Sequence, residues 1–462
     1  MCARIVSAFA SAALLLIAAC AESHTEAPSL SPLAATPPSH AVSAPSFAYA
    51  APDGTIWMMN ADGAGRQQLL AEPLATGNSV AFSASGLATW STDGQKVVYI
   101  ASSALGLVGP ATGDLWVLDV SSGQRSKIDG NACCLRHLRG RLFYDRRVDS
   151  SPLSYSSEPV MLEFTGGGTH TRAIAHGASL SPDGTQIAWV DTSRPSEGTS
   201  VTVRGYPLFV SDVDGGNASH LRENATFADW SPDGKYLMYW KNERGGTAAH
   251  GDVCVIDLAT DGEVCLREFS SDEGPQWAPN PRRYIFHNYL IDPLTGSATE
   301  LFERPYAVVA WSDDGEKVAY TVSEYTVGQP TTYDLVIRDL VSEERTILHT
   351  QNVGAHHSER GGYYGVWSPD SRYFAFVAIE ATDSNAGLYV FDTTTRGLNA
   401  SLQHFPYRSV SISYSPDSSW LLIARDQWEN PTTWIARADG SGAVKLVDGL
   451  PISGSGWRPV AD

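Results

Sequence analysis

The densest group of chemically able side chains in the sequence is His356-His357-Ser358-Glu359-Arg360, inside the stretch HTQNVGAHHSERGGYYG. Two imidazoles and a nearby carboxylate could hold a transition metal, or act as acid and base near neutral pH. Adjacent histidines in a Gly-rich segment are equally what a solvated polar loop contains, and that is the reading preferred here, with no metal assigned. A metal-assisted lyase or hydrolase built on His356, His357 and Glu359 stands as the rival. Arg360, Tyr363 and Trp428 complete the residues assigned to a ligand-binding face. His137, His250 and His287 are isolated, and nothing in the sequence says that they converge.

The remaining chemistry-bearing residues are fewer. In DVCVIDLATDGEVCLRE the turn Ala259-Thr260-Asp261-Gly262 would set Cys254 opposite Cys265 on a hairpin, close enough for a disulfide. Cys133-Cys134 is vicinal and reads as two small buried residues, with a strained vicinal disulfide as the alternative. Neither pair has zinc-ligand spacing. Asp212-Val213-Asp214-Gly215-Gly216-Asn217 faintly suggests a calcium loop. Asn60-Ala61-Asp62-Gly63 and Arg437-Ala438-Asp439-Gly440 occupy the same place in a repeat, so a hairpin turn accounts for all three. No Gly-x-Ser-x-Gly elbow, phosphate-cradling loop or dinucleotide fingerprint is present, and no cofactor is expected.

The elements that must position these residues are announced by a repeat. FADWSPDGKYLMYW, from Phe227, recurs as ATWSTDGQKVVYI from Ala88, ASLSPDGTQIAWV from Ala178, VAWSDDGEKVAYT from Val309, GVWSPDSRYFAFV from Gly365 and SYSPDSSWLLIA from Ser413. Weaker copies begin at Pro275 and Cys134, and a half-copy, GWRPV, begins at Gly456. With the aromatic or leucine as marker, the copies fall at 90, 135, 180, 230, 277, 311, 367, 414 and 457, a spacing of one supersecondary unit. Each unit continues with a strand such as DLWVLDV, PLFVSDV or GLYVFDT, a tight turn and a shorter strand. These runs are too short for helices and are bounded by Gly, Asp and Pro. Four short antiparallel strands per unit predict an all-β fold, a single β-propeller of eight or nine four-stranded blades.

The recurring turn has a physical reason. Proline presets φ at the first corner, aspartate bonds back to nearby amides and glycine accepts positive φ, so the hairpin is fixed locally. The tryptophan before it is expected between neighbouring blades, because a single blade cannot bury both of its faces. Phe47 to Leu70 supplies three strands lacking a first, and GWRPV supplies a first strand lacking the rest. Together they would close the ring and remove exposed sheet edges.

This pattern resembles the TolB-like propeller repeat, whose marks are a WSPDG turn and a strand of the kind seen here as TIWMMNADG from Thr55. The resemblance implies the fold from about residue 47 onward. It does not imply TolB's partnerships, since TolB carries an α/β domain that has no counterpart here. Oligogalacturonate lyases combine similar repeats with metal-binding histidines, which keeps the rival reading chemically open. Dipeptidyl peptidase IV-like enzymes also carry similar propellers, but their nucleophile elbow has no counterpart here.

The N-terminus, MCARIVSAFASAALLLIAAC, is expected to be a secretory signal over residues 1–19. Ile17-Ala18-Ala19-Cys20 resembles the lipobox of bacterial lipoproteins, which implies Cys20 as the lipid attachment and, with Ala21 following, an outer-membrane destination. Residues 20–46, rich in Ser, Pro and Ala, read as a disordered tether, and 47–462 as the propeller. Lys and Arg total 32 against 51 Asp and Glu, and a surface of that sign repels nucleic acid and anionic headgroups. The lipid would be the chain's link to a membrane. Strand order places the turns after strands one and three on one side and the long loops after strands two and four on the other, where recognition concentrates. The expectation is a non-enzymatic, monomeric, lipid-anchored propeller of the bacterial envelope binding a protein, peptide or glycan.

Overall fold

The computed structural model describes residues 44–74, 87–101, 112–138, 141–148, 157–165, 168–173, 178–191, 193, 205–242, 250–270, 275–279, 283–286, 288–301, 306–324, 331–353, 363–379, 385–406, 410–425, 430–452 and 455–460. Every regular element among them is a strand. The strands form five four-stranded sheets and two seven-stranded ones. Each seven-stranded sheet is two blades fused through one long strand, so the described residues make nine blades.

Blade 1 takes Ser46–Ala50, Ile56–Asn60 and Gln67–Leu70 from the N-terminal side and Leu450–Pro451 from the C-terminal side. Blades 2 and 3 share Arg125–Leu138, and blades 4 and 5 share Ser219–Trp230. Blades 6 to 9 begin at Gln276, Tyr306, Tyr364 and Val410. Fusion occurs where the fourth strand runs directly into the next first strand, and the bend is taken up by residues with positive φ. These are Asn131 (φ 54°) and Cys134 (φ 60°) in one shared strand and Asn224 (φ 63°) in the other. Asparagine tolerates that region better than most residues; Cys134 is the exception.

The core lies between blades. One buried cluster joins Ile56, Val98, Leu142 and Val160 across blades 1 to 3. Phe143 and Met161 meet Leu180 and Ile187, Leu208 meets Trp230 and Tyr239, and Met238 meets Tyr284 and Phe286. Ile285 then meets Val318 and Tyr320, Leu335 meets Phe374 and Phe376, and Leu388 meets Leu421 and Ile423. Finally Leu422 and Ile435 of blade 9 meet Phe47, Tyr49 and Trp457 of blade 1, which completes the circle. A large apolar side chain contributes about 1.5–3 kcal/mol when fully buried, and here each is buried by a neighbouring blade rather than its own.

Hydrogen bonds run round the same circle. Trp230 Nε1 donates to Ser179 O at 3.0 Å, Trp367 to Ala310 O at 3.3 Å and Trp457 to Ser413 O at 3.3 Å. Trp90 Nε1 donates to Gly456 O at 3.0 Å across 366 positions of sequence, tying blade 2 to the C-terminal segment. The acceptor in each case is the residue just before the preceding blade's marker. Blade 3 departs from the expected alignment: the register sets His137, not Leu135, opposite Leu142, as Trp90 is set opposite Val97. His137 Nε2 lies 2.9 Å from Thr89 Oγ1, taking the place of the indole.

The recurrent turn is held by its serine. Ser91, Ser181, Ser231, Ser312, Ser368 and Ser415 are each buried. In blade 5, Ser231 Oγ donates to Asp233 Oδ1 (2.7 Å) and accepts from the Tyr236 amide (3.0 Å), and the other five repeat the pattern. Two turns carry serine where the others carry glycine, and Ser371 and Ser418 accordingly sit at φ 58°. Their hydroxyls accept the amides of Asp314 and Asp370 in the preceding blade's turn, at 3.0 and 2.9 Å.

Candidate functional site: a cleft between the first two blades

Most of the loops expected to form the recognition face, with His356, His357, Glu359, Arg360 and Trp428, lie outside the described residues, as does Cys20. Tyr363 is described, and it is not a surface group. It is 4% exposed, its hydroxyl lies 2.8 Å from His349 Nδ1, and its ring packs against Phe376. The cause is position: Tyr363 immediately precedes the first strand of blade 8 and is drawn into the cluster between blades 7 and 8. Burial pushes its phenol well above the ordinary range and the His349 imidazole below its own.

Cys254 and Cys265 are bridged, and they stand directly opposite in the register of their hairpin. Cys133 and Cys134 remain thiols, with Sγ atoms 2.8 Å apart. The Asp212–Asn217 segment closes as a turn: Gly215 N donates to Asp212 O and Asp212 N to Gly216 O. Asn60–Ala64 and Arg437–Ser441 are closed by the same backbone bonds.

The described part of the loop-bearing edge holds a cleft of about 510 Å³ between blades 1 and 2. Leu70, Glu72 and Leu74, at the exit of blade 1, form one wall, and Tyr99, Trp116 and Arg125 of blade 2 form the other. Tyr99 and Trp116 face each other across adjacent strands because their register pairs them. Arg125 donates to Glu72 Oε2 at 2.8 Å, which, with the attraction of its charge, holds the Glu72 carboxyl below its usual range. Burial raises the Tyr99 phenol, against the opposing pull of Arg125. Lys127 and Asp114 add a second ion pair, at 2.7 Å. Both pairs are solvated, and exposed pairs of this kind contribute little to stability. Exchanging one partner for a charged or polar group of a ligand would therefore cost little, while the half-buried Trp116, backed by the buried Tyr99, offers an edge to a flat apolar group or a sugar ring.

A tighter polar network lies next along the shared strand. Asp129 accepts from Tyr144 Oη and, at 2.7 Å, from Arg146 Nε, and Arg146 also donates to Glu158 at 2.8 Å. Burial works against the Asp129 carboxylate, but those hydrogen bonds outweigh it and hold its pKa down. This network fastens blade 2 to blade 3 behind the cleft.

The cleft residues were not singled out from sequence. Tyr99 and Trp116 belong to strands that were recognised, but the pairing of Glu72 with Arg125 joins positions 53 apart that only the ring brings together. The available signal was the charge placed just after Leu70, where an interblade connection begins.

No protein-family profile and no curated protein matches the chain. Among solved structures it is similar to a eukaryotic initiation factor, with a TM-score of 0.59 at 16% identity, covering 90% of this chain and 99% of that one. It is also similar to an oligogalacturonate lyase in complex with manganese (TM-score 0.38, 14% identity, 75% and 87% covered). A third similarity is to TolB from Acinetobacter baumannii (TM-score 0.28, 16% identity, 78% and 80% covered). The likeness to the first of these is one of fold alone, and the chain's own sheets make it an all-β propeller.

Proposed function

We propose that this chain is a non-enzymatic, lipid-anchored binding protein of the bacterial cell envelope, which recognises a protein, peptide or glycan on its loop-bearing side. The observation that supports this most is the cleft between blades 1 and 2, where Tyr99 and Trp116 stand beside the solvated Glu72–Arg125 pair on a scaffold tied together around its whole circumference. Such a site offers one partly exposed indole, held by a buried tyrosine, and exchangeable charge, which suits holding a ligand in one orientation. The Cys20 anchor and the tether that follows would keep the ring near the membrane.

The test is binding of purified envelope glycans and peptides by calorimetry, for the wild type and for Trp116→Ala and Arg125→Ala, with unfolding curves to show that the fold survives. A ligand bound by the wild type and weakened at least about tenfold by Trp116→Ala would support the cleft as anchor. Turnover of a polysaccharide, dependent on a bound metal that His356→Ala and His357→Ala remove, would replace this reading with the enzymatic one.

A further inference from the structure

Successive side chains of a β-strand point to opposite faces. Cys133 and Cys134 do not obey this rule. Cys134 lies in the left-handed region at φ 60°, where the shared strand of blades 2 and 3 bends, and the sulfurs converge to 2.8 Å. A non-glycine residue held there stores backbone strain, and such strain gathers at sites where a particular geometry is used. Asp145 is the register partner of Cys133 on the next strand. One carboxylate oxygen and both sulfurs lie within 4.8 Å of one another. Arg136 grips Asp145 Oδ1 at 2.8 Å, which orients the carboxylate. Cys133 is buried, whereas Cys134 and Asp145 are half-exposed, so the group is open to solvent on one side.

We propose that Cys133, Cys134 and Asp145 form a binding site for a thiophilic divalent cation, with Zn²⁺ as the type case. Two sulfurs and one carboxylate oxygen give three protein ligands, and the open side admits a water as the fourth in a tetrahedral shell. Binding releases both thiol protons: two thiols, one carboxylate and the dication give a complex of net charge −1 and two protons to solvent. The Arg136 guanidinium offsets the residual charge. At zinc–sulfur distances of about 2.3 Å in tetrahedral geometry the sulfurs must part by about 1 Å, a shift open to side-chain rotation at Cys134. Proton release makes the apparent affinity rise with pH below the thiol pKa values.

The experiment titrates the metal-free full-length protein, kept in a reductant mild enough to leave the Cys254–Cys265 bridge closed, with Cd²⁺, reading the ultraviolet sulfur-to-cadmium charge-transfer band, and then displaces Cd²⁺ with Zn²⁺. It is run in a Cys2→Ser, Cys20→Ser background so that no other thiol contributes, Cys254 and Cys265 being bridged. The expected result is one equivalent bound, loss of the band in Cys134→Ser and Cys133→Ser, and an affinity at least about tenfold weaker in Asp145→Asn. Unfolding curves identify any variant that fails to fold, and Cys134→Ser, at the half-exposed position, keeps the test decisive if Cys133→Ser does not. A band unchanged in Cys134→Ser, or no band in the wild type, overturns the proposal. So does a Cys133-Cys134 disulfide in the protein isolated from its native envelope.

Discussion

At the scale of single residues, the turn serine is the clearest case of a role that types alone conceal. Proline, aspartate and glycine in WSPDG each announce a backbone preference, and those preferences are what a reader of sequence can use. Serine has no such preference strong enough to be noticed, yet its hydroxyl is the buried hub that both gives and accepts a hydrogen bond. Ser231→Ala should cost about 1–3 kcal/mol, because the Tyr236 amide and the Asp233 carboxylate both lose a partner. Denaturant unfolding would measure this, and a change within error would mean that water replaces the hydroxyl. His137 carries the same lesson from the other side. It looked solitary in sequence because its partner, Thr89, belongs to another blade, and the Leu135 alignment hid its equivalence to the tryptophans.

Among elements, the hairpin carrying Cys254 and Cys265 was legible because a four-residue turn sets the register of the two strands, and register decides which side chains are opposite. Closing a loop of 11 residues' separation should add roughly 2–3 kcal/mol. The double variant Cys254→Ala, Cys265→Ala should therefore unfold at lower denaturant concentration than the wild type, with an unchanged far-ultraviolet spectrum. An equal midpoint would show that packing alone fixes the hairpin. The two shared strands were not legible. Their sequences, RSKIDGNACCLRHL and SHLRENATFADW, carry no proline, and the Asp129-Gly130 pair in the first does not break its strand; whether such a run ends one sheet or continues into the next depends on positive φ at single asparagines and at Cys134. The candidate site shows the same limit. Aromatic positions on strands could be foreseen, but the Glu72–Arg125 pairing depends on how one blade is set against the next.

For the whole molecule, the repeat period determined the architecture and left only the number open, because the short copy at Pro275 could be a blade or an interruption. It is a blade, with strands of two or three residues. Stability should depend on pH in two stages. His349, half-buried among Tyr363, Phe376 and Tyr389, has its pKa lowered by burial, so the unfolded chain takes up a proton first. Its contribution is complete above about pH 6.5 and is lost as pH falls through the folded value. Turn carboxylates follow: Asp392, held at about 2 chiefly by Arg372, stabilises the fold above about pH 4 and ceases to do so as pH falls toward 2. Melting temperature should thus decline in two steps on acidification, and His349→Phe should shrink the first step without touching the second, the remainder of the first belonging to His137, which burial lowers as well. The run of indole bonds between blades has a gap with a further meaning. Trp277 and Trp311, on either side of blade 6, keep buried Nε1 donors that find no acceptor among the described residues. That place lies across the circle from the seam where the chain's two ends meet. A buried donor left unpaired forfeits its hydration without return, so the two interfaces flanking blade 6 should open more readily than the bonded seam where the ends meet.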